Sequence, residues 1–273
     1  MPAVGTVALV LHAFDYLETS RIYRLLTREA GVQSVLARGA RRSRSRYGSA
    51  VDLFAEGEAQ LSIRPTRELQ TLMAFDVTRA RPRLASSLER FTAASAIAEL
   101  ALRFARDDAQ PALYDAVRDS LDAITNSGDA PGAARDAALG GAWHIVAQLG
   151  FAPALDACCV CESPIPDTER AAFSHTAGGL LCRSCANVHR ASRLLPPTAR
   201  YALQTWSRGA SWQVGDAGEG RAHQRLLREF LGEHLMDGRS LRAFDVWERS
   251  AWGDIAHPAA LDALVSPEPG VTP

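Results

Sequence analysis

The rhythm of apolar and polar positions changes once along the chain, near residue 80. Before that point the apolar runs are short and β-branched. Val4 to Phe14 is the first, broken by Gly5, Thr6 and His12. Ser20 to Arg28 fits a strand or a short helix by periodicity alone. Gly31 opens a third run, Val32 to Arg38, and Val51 to Ile63 forms a long fourth with Gly57 inside it. A glycine within a strand predicts a bulge or tight bend. Pro65 and Thr66 signal a turn, and Leu69 to Val77 is the fifth run. Five short strands over about 75 residues predict a small closed or nearly closed barrel. The OB-fold is the leading form and an SH3-like barrel the alternative.

Beyond residue 83 the apolar spacing becomes helical. Ser86 with Glu89 reads as a capping box, opening a helix through Leu88, Phe91, Ala94, Ala98 and Leu102. Pro111 suits the first turn of a second helix, with a stripe of Leu113, Val117, Leu121 and Ile124. A third carries Leu139, Trp143, Val146 and Leu149 and stops at Gly150, a residue favoured just past a helix end. Pro196-Pro197 starts a helix through Tyr201 and Trp206. Arg208 to Gly220 reads as a polar, Gly-rich connection. Ala222 to Leu235 is the last strong helix, with a broad apolar face of Leu226, Leu227, Phe230, Leu231 and Leu235.

The expected fold class is therefore α+β: an OB-fold barrel over residues 1–80, then a helical domain over 81–150 and 193–250. A cysteine-bearing segment, 151–192, interrupts the helices. The tail, 251–273, is Pro-rich from Ser266 and is expected to be partly disordered. A chain of 273 residues can bury a sizeable core, and 47% hydrophobic content fits a soluble globular protein. Neither a signal peptide nor an apolar run of roughly 20 residues is visible, so a cytoplasmic protein is expected.

All five cysteines fall in the interrupting segment. Cys158 and Cys161 form one C-x-x-C pair, Cys182 and Cys185 a second, with 20 residues between the pairs. Two residues between thiolates let both sulfurs reach one tetrahedral ion, and two such knuckles close its shell. The spacing predicts structural zinc rather than a catalytic metal with an open position. Disulfides would need an oxidising compartment. Cys159 is left over, and His175 and His189 are read as ordinary polar residues.

Charge adds a second candidate site. The formal net charge is −1, yet all 30 basic residues are Arg. Genome composition accounts for the missing Lys; the position of the Arg residues says more. Arg38, Arg41, Arg42, Arg44 and Arg46 crowd an acid-free loop between the third and fourth strands. Such a loop fits phosphates, where Arg supplies affinity without reading sequence; the plainer alternative is a solvated charged loop. Phe14, Tyr16, Tyr23, Tyr47 and Phe54 are the nearby aromatic residues. Tyr47, directly after the Arg run, is the leading candidate to stack on a base, although core packing is the default for each.

Enzyme signatures are missing. Without Lys a P-loop is excluded, and no G-x-G-x-x-G, H-E-x-x-H or G-x-S-x-G pattern occurs. Asp107-Asp108 reads as solvent-facing charge.

The order of a small barrel, a basic loop, helices and a four-cysteine knuckle resembles the RecO family of bacterial DNA-repair mediators. The similarity reaches residues: Val10-Leu11-His12, Glu18, Thr27-Arg28-Glu29-Ala30-Gly31, Ala37-Arg38-Gly39-Ala40-Arg41-Arg42, and Leu155-Asp156-Ala157-Cys158. It extends over roughly residues 1 to 240. The departures are Arg where many relatives have Lys, and the adjacent Cys158-Cys159 pair. The resemblance implies an OB-fold that binds single- and double-stranded DNA and promotes annealing. It implies action with RecR, contact with the acidic C-terminal tail of single-stranded DNA-binding protein, and, indirectly, loading of RecA. Arg38, Arg41, Arg42, Arg44 and Arg46 match the family's basic loop. A zinc-bearing protein–protein adaptor is the alternative reading, and a zinc-dependent nuclease or transferase a more distant one.

Overall fold

The computed structural model describes residues 3–41, 47, 51–64, 66–189, 193–235 and 240–250. Arg42, Arg44 and Arg46, and the tail beyond Ser250, lie outside the described residues.

The five runs near the N-terminus form strands β1 (Ala3–Tyr16), β2 (Ser20–Thr27), β3 (Gly31–Ala37), β4 (Glu56–Ser62) and β5 (Leu69–Arg79). They close into a barrel in the order β1-β2-β3-β5-β4, with β3 and β5 parallel and the other pairs antiparallel. The ambiguous second run is a strand, and the barrel is of the OB type. Only the second half of the fourth run pairs. Val51 to Ala55 instead packs as a loop, with Phe54 at φ 66° and its amide on the Val10 carbonyl at 2.7 Å. Gly57 sits at the expected irregularity, where the β4–β5 register shifts. A Cβ there would come within 2.5 Å of the Asp76 carbonyl, so only glycine admits the close approach.

The first strand does not alternate in hydropathy because both of its faces are buried. Ala8 and Val10 fill the barrel interior with Leu25, Val35, Leu61 and Leu72. Leu9 and Leu11 face outward and join Leu26 and Phe54 in the core of the helical domain. The two parts of the chain thus share one apolar core.

Three helices follow: α1 (Leu88–Phe104), α2 (Pro111–Asn126) and α3 (Ala133–Gln148). The cap of α1 is Ser87, whose hydroxyl accepts from the Arg90 amide, one residue later than the capping-box pattern placed it. The Ser86 hydroxyl donates to the Arg83 carbonyl, and Glu89 reaches across to the Arg135 amide at 3.3 Å. Past α3, Gly150 and Phe151 donate to Ala147 and Val146, the paired bonds of a helix stop.

A small sheet of β6 (Ala171–Ser174), β7 (Gly179–Leu181) and β8 (Arg193–Leu195), with the short helix α4 (Arg183–Val188), carries the cysteines. Helices α5 (Pro197–Ser207), α6 (Ala217–His234) and α7 (Arg242–Ser250) complete the fold. Helices α6 and α7 differ from expectation. Helix α6 begins inside the Gly-rich connection because Asp216 caps the Glu219 amide at 2.9 Å, while Glu219 accepts from Gly215 at 2.7 Å. Helix α7 was not anticipated. It buries Phe244 and Trp247 and packs on α1, whose Glu99 accepts the Phe244 amide at 3.0 Å.

One buried arginine joins barrel to helices. The Arg81 side chain is 1% exposed and donates to Asp122 of α2 at 2.7 Å, to the Phe54 carbonyl at 2.8 Å and to Glu56 of β4 at 3.1 Å. Tyr114 of α2 donates to the other oxygen of Glu56 at 3.0 Å. Arg81→Ala would leave the buried Glu56 with only Arg79, at 4.0 Å, in place of its hydrogen-bonded cation. It is expected to cost about 3–5 kcal/mol, read as a lowered urea midpoint, with Tyr114→Phe costing about 1–3 kcal/mol.

Candidate functional site

Two regions carry the candidate side chains, and the structure places them in different parts of the molecule. The basic loop leaves the barrel at the end of β3. Arg38 and Arg41 are both exposed. The Arg41 amide donates to the Thr19 carbonyl at 3.0 Å, which ties the loop to the β1–β2 hairpin tip. The Arg41 guanidinium lies 3.4 Å from Asp15, which also receives Arg21 at 2.9 Å. Arg21 is held above its ordinary value, first by that bond to Asp15. The remaining members of the predicted set, Arg42, Arg44 and Arg46, lie outside the described residues. Tyr47 does not serve as a stacking platform. It is 4% exposed, fills the barrel interior and donates its hydroxyl to the Leu72 carbonyl at 2.8 Å.

The four cysteines of the two knuckles converge. The sulfurs of Cys158, Cys161, Cys182 and Cys185 all lie within 4.8 Å of one another, with Cys161 and Cys182 3.7 Å apart. Four thiolates around a tetrahedral ion, with bonds of roughly 2.3 Å, stand about 3.8 Å apart, so the group fits a metal ion. The first knuckle is a tight turn in which Glu162 and Cys158 amides donate to the Cys158 and Ser163 carbonyls. The second is the start of α4, where Cys182 occupies the cap and accepts from the Cys185 amide. Cys159 stays out of the cluster, its amide donating to Leu180 at 2.8 Å.

The thiols cannot all ionise unaided. Burial pushes Cys158 up, but the amides of Cys182, Cys161 and Val160 outweigh it and bring it down to about 6. Cys185 is pushed up to about 12, first by its bonds to Cys161 and Cys182. A bound dication removes that conflict, since its charge favours thiolate at every position.

Sequence reasoning missed the residue that ties this segment down. Arg200 of α5 is buried and donates to the carbonyls of Leu155 at 2.8 Å, Ile165 at 2.9 Å, Pro166 at 3.2 Å and Asp156 at 3.2 Å, and pairs with Asp167 at 3.0 Å. The segment loops on either side of the first knuckle thus close on one guanidinium. Nothing in the local sequence marks Arg200, because its partners are more than thirty positions away. On the other side, His175 at the end of the β6–β7 hairpin lies 3.0 Å from Glu229 of α6, and Arg193 of β8 pairs with the same carboxylate.

Between β8, the start of α5 and α6 lies a groove of about 410 Å³. Leu194, Pro196, Ala199 and Leu226 form apolar walls, and Arg193 and Arg225 stand at its rim. His223 also lines it, 2% exposed, with its ring against Trp206 at 4.8 Å. Burial, reinforced by Arg135, lowers this imidazole to about 4, so it is neutral near pH 7.

The family described as Recombination protein O N terminal matches residues 1–81, and Recombination protein O C terminal matches residues 85–242. The chain belongs to the RecO family. A DNA repair protein RecO of Anaeromyxobacter dehalogenans (strain 2CP-C) is 34% identical over 249 residues, covering 89% of this chain and 95% of that protein. The DNA repair protein RecO of Thermobifida fusca (strain YX) is 31% identical over 244 residues, 86% of this chain and 95% of the relative. That of Rubrobacter xylanophilus is 28% identical over 229 residues, 84% and 89% of the two chains. No helix among the described residues is long and apolar enough to cross a membrane.

If the four-cysteine group holds a metal, Cys158→Ser and Cys185→Ser are each expected to lose most of it, while Cys159→Ser keeps it. Metal content by mass spectrometry of the purified variants checks this. Loss should also steepen as pH falls below about 6, because protons then compete for thiolates.

Proposed function

We propose that this chain is a non-enzymatic mediator of DNA repair that binds single- and double-stranded DNA through the edge of its OB barrel and promotes annealing. The observation that carries the reading is the exposed Arg38 and Arg41 at the end of β3, pinned to the hairpin tip, in a chain of the RecO family. Arg42, Arg44 and Arg46 extend the same acid-free run. Guanidinium groups displace counterions from phosphates, and that release supplies the affinity. One cationic surface that screens two strands lowers their repulsion and lets them pair. No bond needs to be made or broken. The four thiolates hold structural zinc: their donor set is soft, and four protein ligands leave no open position.

In this reading the protein acts in the cytoplasm on gapped or broken DNA, together with RecR. It helps remove single-stranded DNA-binding protein so that RecA can load. The groove between β8, α5 and α6 is the place for the tail of single-stranded DNA-binding protein. Its apolar walls suit a terminal Phe, and Arg193 and Arg225 suit acidic residues beside it.

Two measurements test this. Fluorescence anisotropy of labelled single-stranded DNA across a salt series should show a steep slope. Changing Arg38, Arg41, Arg42, Arg44 and Arg46 to Ala should flatten that slope by about 0.7 per lost phosphate contact. Unchanged tight binding would move the DNA site elsewhere, and no binding by either protein would favour the adaptor reading. Separately, Arg225→Glu should weaken binding of an acidic peptide ending in Phe by about tenfold or more, without changing the salt slope on DNA.

A further inference from the structure

A bulge in β1 decides which way its second half faces. The β1–β2 register shifts between Val10 and His12, so Leu11 is the extra residue. Before it, Val10 points into the barrel; Leu11 points out. After it the parity is reversed, and Ala13 rather than His12 packs on the barrel core. His12, Phe14 and Tyr16 therefore share the outer face, two residues apart. Without the extra residue they would point inward.

That row stays in water. Tyr23, Tyr47 and Phe54 are 2–4% exposed, whereas His12, Phe14 and Tyr16 remain half-buried. Phe14 packs against neither apolar core, and its ring lies 5.9 Å from that of His12. The row begins where Arg24, opposite His12, donates to the Leu102 carbonyl of α1. It ends at Leu17 on the hairpin tip, 76% exposed and at φ 54°. Neither packing nor backbone geometry favours a Leu there, since both the apolar exposure and the positive φ are unfavourable.

The row also runs into the basic loop. Tyr16 pairs with Ser20, and Arg21 pairs with Ala37. Continuing the antiparallel register one step sets Ser20 opposite Arg38. Tyr16 and Ser20 then lie side by side on β1 and β2, about 5 Å apart from strand to strand, and Arg38, the first residue past β3, is next in the row. Glu18 at the tip and Asp15 on the other face are the nearby acids, and Asp15 is engaged by Arg21 and Arg41.

We propose that Phe14 and Tyr16, with Leu17 at their end, form a base-stacking platform for single-stranded nucleic acid, fed by phosphates held at Arg38. The proposal rests on the DNA-binding reading and deepens it: the barrel edge would prefer strands whose bases are unstacked and free. Aromatic side chains stack on any base, so the preference would be for single strands rather than for a sequence. Melting or holding open a strand before annealing follows from the same contacts.

The test uses the full chain and two labelled oligomers of equal length, oligothymidine and a strand of abasic sites. Phe14→Leu with Tyr16→Leu keeps apolar volume on the strand while removing the rings. It is expected to weaken oligothymidine binding by about tenfold or more, to leave the abasic strand unchanged and to keep the salt slope. Phe14→Trp should retain wild-type preference, and a 2-aminopurine base in the strand should lose its binding-induced fluorescence change only in the Leu variant. Equal weakening on both oligomers, or no weakening on either, would overturn the platform. The five-Arg variant separates this from the underlying reading, because it should lose affinity for both oligomers alike. If the wild type binds neither oligomer, the DNA reading and the platform fall together.

Discussion

The guanidinium of Arg81 sits where the barrel meets the helices, and the arrangement of both depends on it. It lies just past β5, in water's absence, and gives its three faces to Asp122, Phe54 and Glu56. Burying a cation this deeply is unfavourable unless every donor is satisfied and a carboxylate is at hand. Here Glu56 belongs to β4 and Asp122 to α2, so the pairing ties a strand of the barrel to a helix, and Arg79 reaches the same two carboxylates from the end of β5. Tyr114, held neutral by burial and the adjacent Glu56, closes the network from α2. The apolar contacts around it, Leu9, Leu11 and Leu26 against the helices, supply area without direction. The buried charges supply the direction.

Two irregularities then turn a regular barrel into a surface with a use. Gly57 lets β5 approach β4 closely, and the extra residue at Leu11 reverses the parity of β1. The first serves closure. The second sends aromatic side chains outward along the strand that leads to the hairpin tip, where Thr19 receives the basic loop. Charge and apolar surface meet at one edge because three strands happen to end there together.

The cysteine segment depends on partners outside itself. Its sheet is only three strands of three or four residues, at the lower limit of what stands alone. Arg200 gathers the loops on one side and Glu229 receives His175 and Arg193 on the other. The groove beside β8 exists because the same α6 that carries Glu229 also presents Leu226 and Arg225 toward α5. A ligand in that groove would touch the element that steadies the metal segment.

Local pattern sufficed wherever a physical signal repeats over a few residues. The five strands, the change to helical spacing, Pro111 at a helix start, Gly150 at a helix stop and the C-x-x-C pairs all act through neighbours in the chain, so they were legible. The start of α6 was missed because Asp216 and Glu219 cap it inside a Gly-rich stretch, and α7 because a short helix depends on the face of α1 it covers. Tyr47 looked available beside the Arg run and is buried, since its hydroxyl finds Leu72, twenty-five residues on. Phe14 and Tyr16 looked no different from it, and a one-residue bulge left them outside. Periodicity tells which residues alternate; only the closed barrel, with its register set by pairing partners, decides which side of the alternation faces water.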